Sequence, residues 1–199
     1  SEPHPVYQAL RQVSDQFCEW FVVTTNVDAL FERNGFDPQR VYSPQGDYGL
    51  GQCRRPCTTD TWPSKPWIDN LLPKVDRNTQ LLADQDLPRC PNCGGPTFFN
   101  VRCAHWFVEE PWKKGQRNWE HWLAQNRTNN IVAIDIGSGF NTPMWVRWPL
   151  EQITTLQPGN TLIRLNRDHP DVPAQIKAQS ICFQEDPLDV LTKLIQHLH

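Results

Sequence analysis

Apolar positions recur at helical spacing over residues 5–17 (PVYQALRQVSDQF), which predicts an amphipathic helix. The period then changes. Trp20-Phe21-Val22-Val23-Thr24-Thr25 is a short aromatic and β-branched run, the composition of a strand, and it ends in the polar Asn26-Val27-Asp28. Residues 29–35 (ALFERNG) read as a second helix, closed by Gly35 as a C′ residue. Residues 41–48 read as a connection into a cysteine-bearing module over 49–104, in which the stretch 58–89 is rich in Pro, Asp and Thr and has little periodicity. A helix is predicted over 116–126, then strands over 131–136, 161–165 and 180–183. An amphipathic helix over 186–198 closes the chain, with Asp186 as N-cap and Pro187 in the first turn.

Strands alternating with helices predict an α/β fold with a Rossmann-like parallel sheet. The strands over 20–25, 131–136, 161–165 and 180–183 all run into Asn, Asp, Ser, Gly or Gln. In one parallel sheet those ends share an edge, the edge where α/β sheets bind ligands. Loops after strands are polar in any case, which accounts for Gln184-Glu185. It accounts less well for Gly137-Ser138-Gly139, where glycine permits close backbone approach to a phosphate or ribose.

Cysteines add a second piece of chemistry. Cys53-x3-Cys57 and Cys90-x2-Cys93 are two close pairs, the second in the knuckle Arg89-Cys90-Pro91-Asn92-Cys93-Gly94-Gly95. Thiolates at this spacing ligate one tetrahedral zinc ion, and four of them leave no position for water, so the predicted zinc is structural. Cys18, Cys103 and Cys182 read as small buried hydrophobes, and His105 and His121, with no cysteine at ligand spacing, as structural or surface residues. A length of 199 residues allows one domain with a small inserted module. The net charge of -3 makes no electrostatic case for nucleic acid. No apolar stretch is long enough to cross a bilayer, and the opening Ser-Glu-Pro-His-Pro is unlike a signal peptide. A reducing, cytoplasmic location follows as an expectation, and it favours metal over disulfides. The abundance of proline (18) and tryptophan (9) predicts irregular, well-packed loops.

Thr24-Thr25-Asn26-Val27-Asp28, a Gln-Gly pair at 45–46, the two cysteine pairs, Ile136-Gly137-Ser138-Gly139 and Asn166 after a strand follow one another in the order and spacing of the sirtuins. The chain resembles that family over almost its whole length. The closest likeness is to the class M branch, NAD-dependent protein ADP-ribosyltransferases often associated with macrodomains, through Gln45-Gly46-Asp47-Tyr48 and Gly137-Ser138-Gly139-Phe140-Asn141-Thr142-Pro143. The resemblance implies an NAD-binding domain over 1–48 and 105–199, incomplete at its N-terminus, and a zinc module over 49–104. It begins at the family's second strand, without the Gly-Ala-Gly-x-Ser turn that grips the NAD pyrophosphate. The chain by itself is therefore expected to bind NAD weakly or not at all until that half is restored.

By the same resemblance Asn26 holds the nicotinamide ribose and orders a water, while Asp28, with the Val27 backbone, binds the nicotinamide carboxamide. Thr25 stands where most sirtuins have glutamine. Gly137, Ser138 and Gly139 line the phosphate and adenosine ribose path, and Asn166 meets the adenosine ribose. Gln45 replaces the deacylases' catalytic histidine. A carboxamide has no titratable proton near neutral pH, so it orients a hydroxyl or nucleophile without deprotonating it. Taken singly, each residue has a plainer role: Asn26 and Asp28 as helix caps, Gln45 as a loop residue, Asn166 as a turn former. The implied activity is NAD-dependent ADP-ribosyl transfer to a protein, with a lipoylated carrier protein as target and a macrodomain as partner. A deacylase that tolerates Gln45, and a non-catalytic zinc-stabilised protein-binding module, are the alternatives.

Overall fold

A computed structural model describes residues 4–197. In chain order it contains α1 (Pro5–Ser14), β1 (Val22–Val23), α2 (Leu30–Arg33), β2 (Val41–Tyr42), β3 (Gly46–Cys53), β4 (Trp62–Pro63), α3 (Lys65–Leu71) and β5 (Thr97–Val101). There follow α4 (Lys113–Gln125), β6 (Val132–Ile136), α5 (Arg147–Leu156), β7 (Thr161–Leu165), β8 (Ser180–Phe183) and α6 (Pro187–His197). Two compact units share these elements. The first takes residues 1–25, 30–42 and 115–199; the second takes 26–29 and 43–114.

In the first unit β6, β7 and β8 form a parallel sheet in that order, with β6 and β7 in register from Val132↔Thr161 to Ile136↔Leu165. Alternation along each strand divides its side chains between two faces. Ile134, Ile136, Ile163 and Leu165 pack with Ala9 and Val13 of α1 and Leu191 of α6. Ala133 and Leu162 pack on the other side with Leu150 of α5 and Ile176. The same alternation puts Asp135 and Arg164, direct partners across the ladder, on the α5 face, where both are fully buried.

β1 pairs in parallel with β2 alone, Val22↔Val41 and Val23↔Tyr42. The single edge expected for the strands over 20–25, 131–136, 161–165 and 180–183 is therefore corrected. Among the described residues they stand in two ladders, and Val41–Tyr42 is a strand rather than the start of a connection.

Local chemistry sets the helix limits. The predicted helix over 5–17 stops at Ser14, whose Oγ turns back to the Arg11 carbonyl (2.8 Å). The helix predicted over 29–35 keeps only Leu30–Arg33, because Ala29 (φ 53°) and Gly35 (φ 88°) are both left-handed. Gly35 N–H donates to Glu32 O and Phe36 N–H to Phe31 O, and the Phe36 and Phe31 rings meet at 5.1 Å, a complete Schellman stop. Asp186 Oδ1 accepts from Leu188 N–H at 2.8 Å, the expected cap of α6; position 198 of that predicted helix lies outside the described residues. α5 has no counterpart in the sequence reading. Its Pro149 lies in the first turn, where no intrahelical N–H is needed.

The second unit is built on an antiparallel sheet, β4-β3-β5. Its centre is polar. Gln52 and Asn100 are fully buried and bonded to each other at 2.8 Å. Gln52 also accepts from Val108 N–H (3.0 Å) and donates to Trp106 O (2.9 Å), while Asn100 accepts from Trp112 Nε1 (2.7 Å). Trp67 of α3 stacks on Phe99 at 5.2 Å, so the Pro- and Asp-rich stretch contains a packed helix. Cys18, Cys103 and Cys182 are all exposed, against expectation. Cys18 and Cys103 fall in turns just past α1 and β5, and Cys182 lies on edge strand β8.

Candidate functional site

At the carboxyl ends of β6 and β7 the chain turns through Gly137-Ser138-Gly139 and through Asn166–Asp171. Gly137 takes φ 71°, which a side chain would resist, and its N–H donates to Leu165 O at 3.0 Å. Gly139 is different: it has no left-handed φ, and a Cβ there would meet no heavy atom within 4 Å. Internal packing therefore does not require glycine at 139, whereas close approach of a ligand would. Ser138 Oγ donates to Asp135 Oδ2 (2.7 Å), and Asn166 Nδ2 donates to Ser138 O (2.8 Å). Asn166 Oδ1 in turn accepts from Asp168 N–H (3.1 Å) and His169 N–H (2.9 Å). Asn166 thus ties the two loops together.

Beneath them is a charge cluster absent from the sequence reading. Arg164 Nε meets Asp135 Oδ2 at 2.8 Å and Arg164 Nη2 meets Glu151 Oε1 at 2.8 Å. Arg147, 3 % exposed, lies 3.6 Å from Glu151 Oε1 and donates to the carbonyls of Ser138 (3.0 Å), His169 (3.1 Å) and Asp171 (2.8 Å). Burial, and then the charge of Arg164, pull the Arg147 guanidinium below its ordinary pKa.

In the second unit, Ser43–Gly46 form a turn closed by Gly46 N–H to Ser43 O (3.0 Å), and Gln45 occupies its third position, 8 % exposed. Gly46 has φ 87°, and a Cβ there would fall 2.0 Å from the Asn100 carbonyl oxygen, so the turn admits no side chain. Arg102 pins it from below: its N–H donates to Gln45 O (2.9 Å), its Nε to Pro44 O (2.9 Å), and its Nη1 meets Glu109 at 2.6 Å. Asn26 and Asp28 are exposed, and Tyr48 N–H donates to Val27 O at 2.9 Å. That bond joins the Asn26–Asp28 segment to the strand that leaves Gln45.

The four cysteine sulfurs lie within 4.8 Å of one another. Cys53 Sγ is 3.7 Å from Cys93 Sγ, and Cys57 Sγ is 3.7 Å from Cys90 Sγ. Tetrahedral zinc with bonds of about 2.3 Å requires sulfurs about 3.8 Å apart, so the set fits that ion. Gly94 N–H donates to Cys90 O and Cys90 N–H to Gly95 O, both at 2.8 Å, which shapes the knuckle. Burial works against the Cys90 thiolate, but the amides of Cys93 and Asn92 and the thiols of Cys57 and Cys93 outweigh it and bring the group down to about 7. Cys57 has the Asn92 amide in favour of its thiolate; burial and the sulfurs of Cys93, Cys90 and Cys53 nevertheless push it up to about 12.

No protein-family model matches the sequence. Among solved structures, a Sir2 protein with a p53 peptide and NAD+ superposes with a TM-score of 0.66 at 15% identity, covering 99% of this chain and 70% of that one. A Sir2 homologue with NAD gives 0.62 at 17% identity, over 99% and 65%. The chain has the Sir2 fold. Its Rossmann-like part carries parallel strands, and its four cysteines stand close enough to form a zinc site. Among curated proteins, it is 35% identical over 167 residues to a probable bifunctional ADP-ribose hydrolase/ADP-ribosyltransferase of Fusarium oxysporum f. sp. cubense, covering 81% of this chain and 28% of the relative. It is 26% identical over 181 residues to a protein ADP-ribosyltransferase of Staphylococcus aureus strain Mu50, covering 90% and 57%. The chain thus spans between about a quarter and somewhat over half of these relatives' lengths.

Within this Sir2 fold the sequence-derived residues fall into three groups. Gly137, Ser138, Gly139 and Asn166 come together in the first unit, where the half-buried Thr25 also lies, at the end of β1. Asn26, Val27, Asp28 and Gln45 belong to the second unit, as do Cys53, Cys57, Cys90 and Cys93. Asp135, Arg147, Glu151, Arg164 and Arg102 escaped the sequence reading. One signal was available: VAIDI and TLIRL each carry a single charge, of opposite sign, in an otherwise apolar strand.

Proposed function

We propose that the chain is the sirtuin-type part of an NAD-dependent protein ADP-ribosyltransferase of the class M kind. The reading is carried by the identity and setting of residue 45: a carboxamide on a turn pinned by Arg102, in the same unit as Asn26–Asp28. Its similarity to two proteins described as ADP-ribosyltransferases, those of Fusarium oxysporum f. sp. cubense and Staphylococcus aureus, supports it.

In this reading NAD is the substrate. The nicotinamide–ribose bond breaks with its electron pair leaving on nicotinamide, and the acceptor side chain bonds to the ribosyl carbon and gives up its proton to solvent. Asp28 and the Val27 backbone hold the nicotinamide carboxamide, and Asn26 and Thr25 hold the adjoining ribose. Gln45 orients the acceptor or a ribose hydroxyl by hydrogen bonds. Having no basic form near neutral pH, it cannot remove the ribose proton that deacylation needs, and loss of a general base costs about 100- to 10,000-fold. Gly137–Gly139 and Asn166 take the phosphates and adenosine ribose. Zinc on Cys53, Cys57, Cys90 and Cys93 is structural, with no open coordination position. The acceptor is a side chain on a lipoylated carrier protein, a macrodomain is the associated partner, and the setting is cytoplasmic.

Incubating the full-length protein with labelled NAD and a lipoylated carrier should label the carrier. Gln45→Ala should reduce labelling about tenfold, the cost of one or two lost orienting hydrogen bonds. Release of O-acyl-ADP-ribose from an acyl-lysine peptide, with no label on protein, would establish deacylation instead.

A further inference from the structure

The two arginines of the buried cluster divide its work unequally. Arg164 makes the close ion pairs, 2.8 Å to Asp135 and 2.8 Å to Glu151, and reaches one loop carbonyl, that of Asp171, at 2.6 Å. Arg147 stands 3.6 Å from Glu151 and spends Nη1 and Nη2 on three loop carbonyls, those of Ser138, His169 and Asp171. It opens α5, so a rigid helix anchors it, and the ring of Phe140 covers its guanidinium at 4.5 Å. Phe140 is itself 57 % exposed and meets the exposed His169 edge-on at 5.1 Å. Arg147 therefore binds both strand-end loops from the inside.

The Ser138 carbonyl receives two donors, Arg147 Nη1 at 3.0 Å and Asn166 Nδ2 at 2.8 Å, both from the protein's interior side. Across a planar trans peptide the following N–H points opposite to the carbonyl. Fixing Ser138 O inward thus aims the Gly139 amide outward, at a residue whose missing Cβ leaves open space within 4 Å. An outward amide beside open backbone is suited to an anionic oxygen.

We infer that Arg147 is a positioning residue for dinucleotide binding: by holding the Ser138, His169 and Asp171 carbonyls it aims the Gly139 amide at the pyrophosphate of NAD. This rests on the NAD-dependent reading above. Arg147 touches no reacting atom. Its loss should weaken ligands that carry the pyrophosphate and spare those that lack it, a pattern that general destabilisation does not produce.

The test uses the zinc-loaded full-length protein and three forms of it: wild type, Arg147→Met and Arg147→Lys. ADP-ribose binding is measured by calorimetry, nicotinamide by product inhibition, and KM and kcat for NAD by label transfer. Arg147→Met should raise the ADP-ribose Kd and the NAD KM about tenfold, the effect of losing a charge-assisted hydrogen bond. Nicotinamide inhibition and kcat should stay within about twofold. Arg147→Lys keeps the charge but loses the fork, and should recover part of the affinity. Should Arg147→Met fail to fold, Arg147→Lys carries the same comparison. Unchanged ADP-ribose affinity, or equal loss of ADP-ribose and nicotinamide, overturns the inference while leaving the NAD reading intact. Absence of any NAD or ADP-ribose binding by the wild type overturns that reading, and this inference with it.

Discussion

The two units solve the problem of an interior by different means. In the first, two helices and a parallel sheet bury Ala9, Val13, Leu165 and Leu191 on one face of the sheet, and on the other face the buried Arg164 is paired with Asp135 and Glu151. In the second, the buried centre is an amide pair, Gln52 and Asn100, and two of the four clustered thiols, Cys53 and Cys90, are buried as well. Apolar burial supplies about 25 cal/mol for each Å2 removed from water, and hydrogen-bonded amides exchange partners with water for a much smaller net gain. A unit centred on amides therefore gains less from its interior, and a zinc ion on these four thiols, which the donor set fits, would add stability of its own. Among the described residues, the first unit contains no such donor set.

The sharpest way to break the comparison is at the metal. Cys90→Ala removes a buried ligand whose thiolate is already favoured, at about 7. Structural zinc contributes on the order of 10–16 kcal/mol to folding, so the second unit should unfold while the first retains its helical signal. Circular dichroism together with a zinc indicator reads both. Acid should act in the same direction. Because ligation needs thiolates, zinc binding should weaken as pH falls, and more steeply once pH passes below about 7, where Cys90 also takes up a proton. A Cys90→Ala protein in which both units stay folded would show that the thiols contribute no more than ordinary side chains.

In the first unit the weak point is electrostatic. Arg164→Met leaves Asp135, fully buried, and Glu151 without their close cation, a change that costs about 3–5 kcal/mol. Combining it with Asp135→Leu removes the fully buried one of the two uncompensated charges and should recover part of the loss, since Glu151 keeps Arg147 at 3.6 Å. Urea unfolding of the single and double variants measures this. Equal destabilisation by both would mean that shape, and not charge, is what the pair contributes.

Much of this architecture was legible because local patterns and global packing agree. β6, β7 and β8 announce themselves as apolar runs of strand length, and α6 carries its own N-cap and proline. The four cysteines needed only their spacing. What stayed hidden depended on partners distant in sequence. β2 is two residues long and becomes a strand only by pairing with β1, and α5 is disguised by Trp148-Pro149. The candidate site divides the same way. Asn26, Asp28, Gln45 and the glycine loop were readable as a series in order along the chain. Arg147 and Arg102 were not, because each acts on backbone carbonyls, and no sequence pattern records which carbonyl an arginine will find.

The smallest expected effect probes the amide centre directly. Gln52→Leu is close in volume, so packing changes little; what changes is polarity. Val108 N–H loses its acceptor at 3.0 Å and Trp106 O its donor at 2.9 Å, whereas Asn100 Nδ2 keeps its bond to Val108 O at 2.9 Å. One buried amide left without a partner costs about 1–3 kcal/mol, and the added apolar surface offsets part of it. The zinc-loaded protein should therefore lose about 1–2 kcal/mol in the unfolding of its second unit, with the first unit unchanged. A gain in stability instead would mean that the polar centre can be exchanged for an apolar one, and that the contrast between the two units lies in the metal alone.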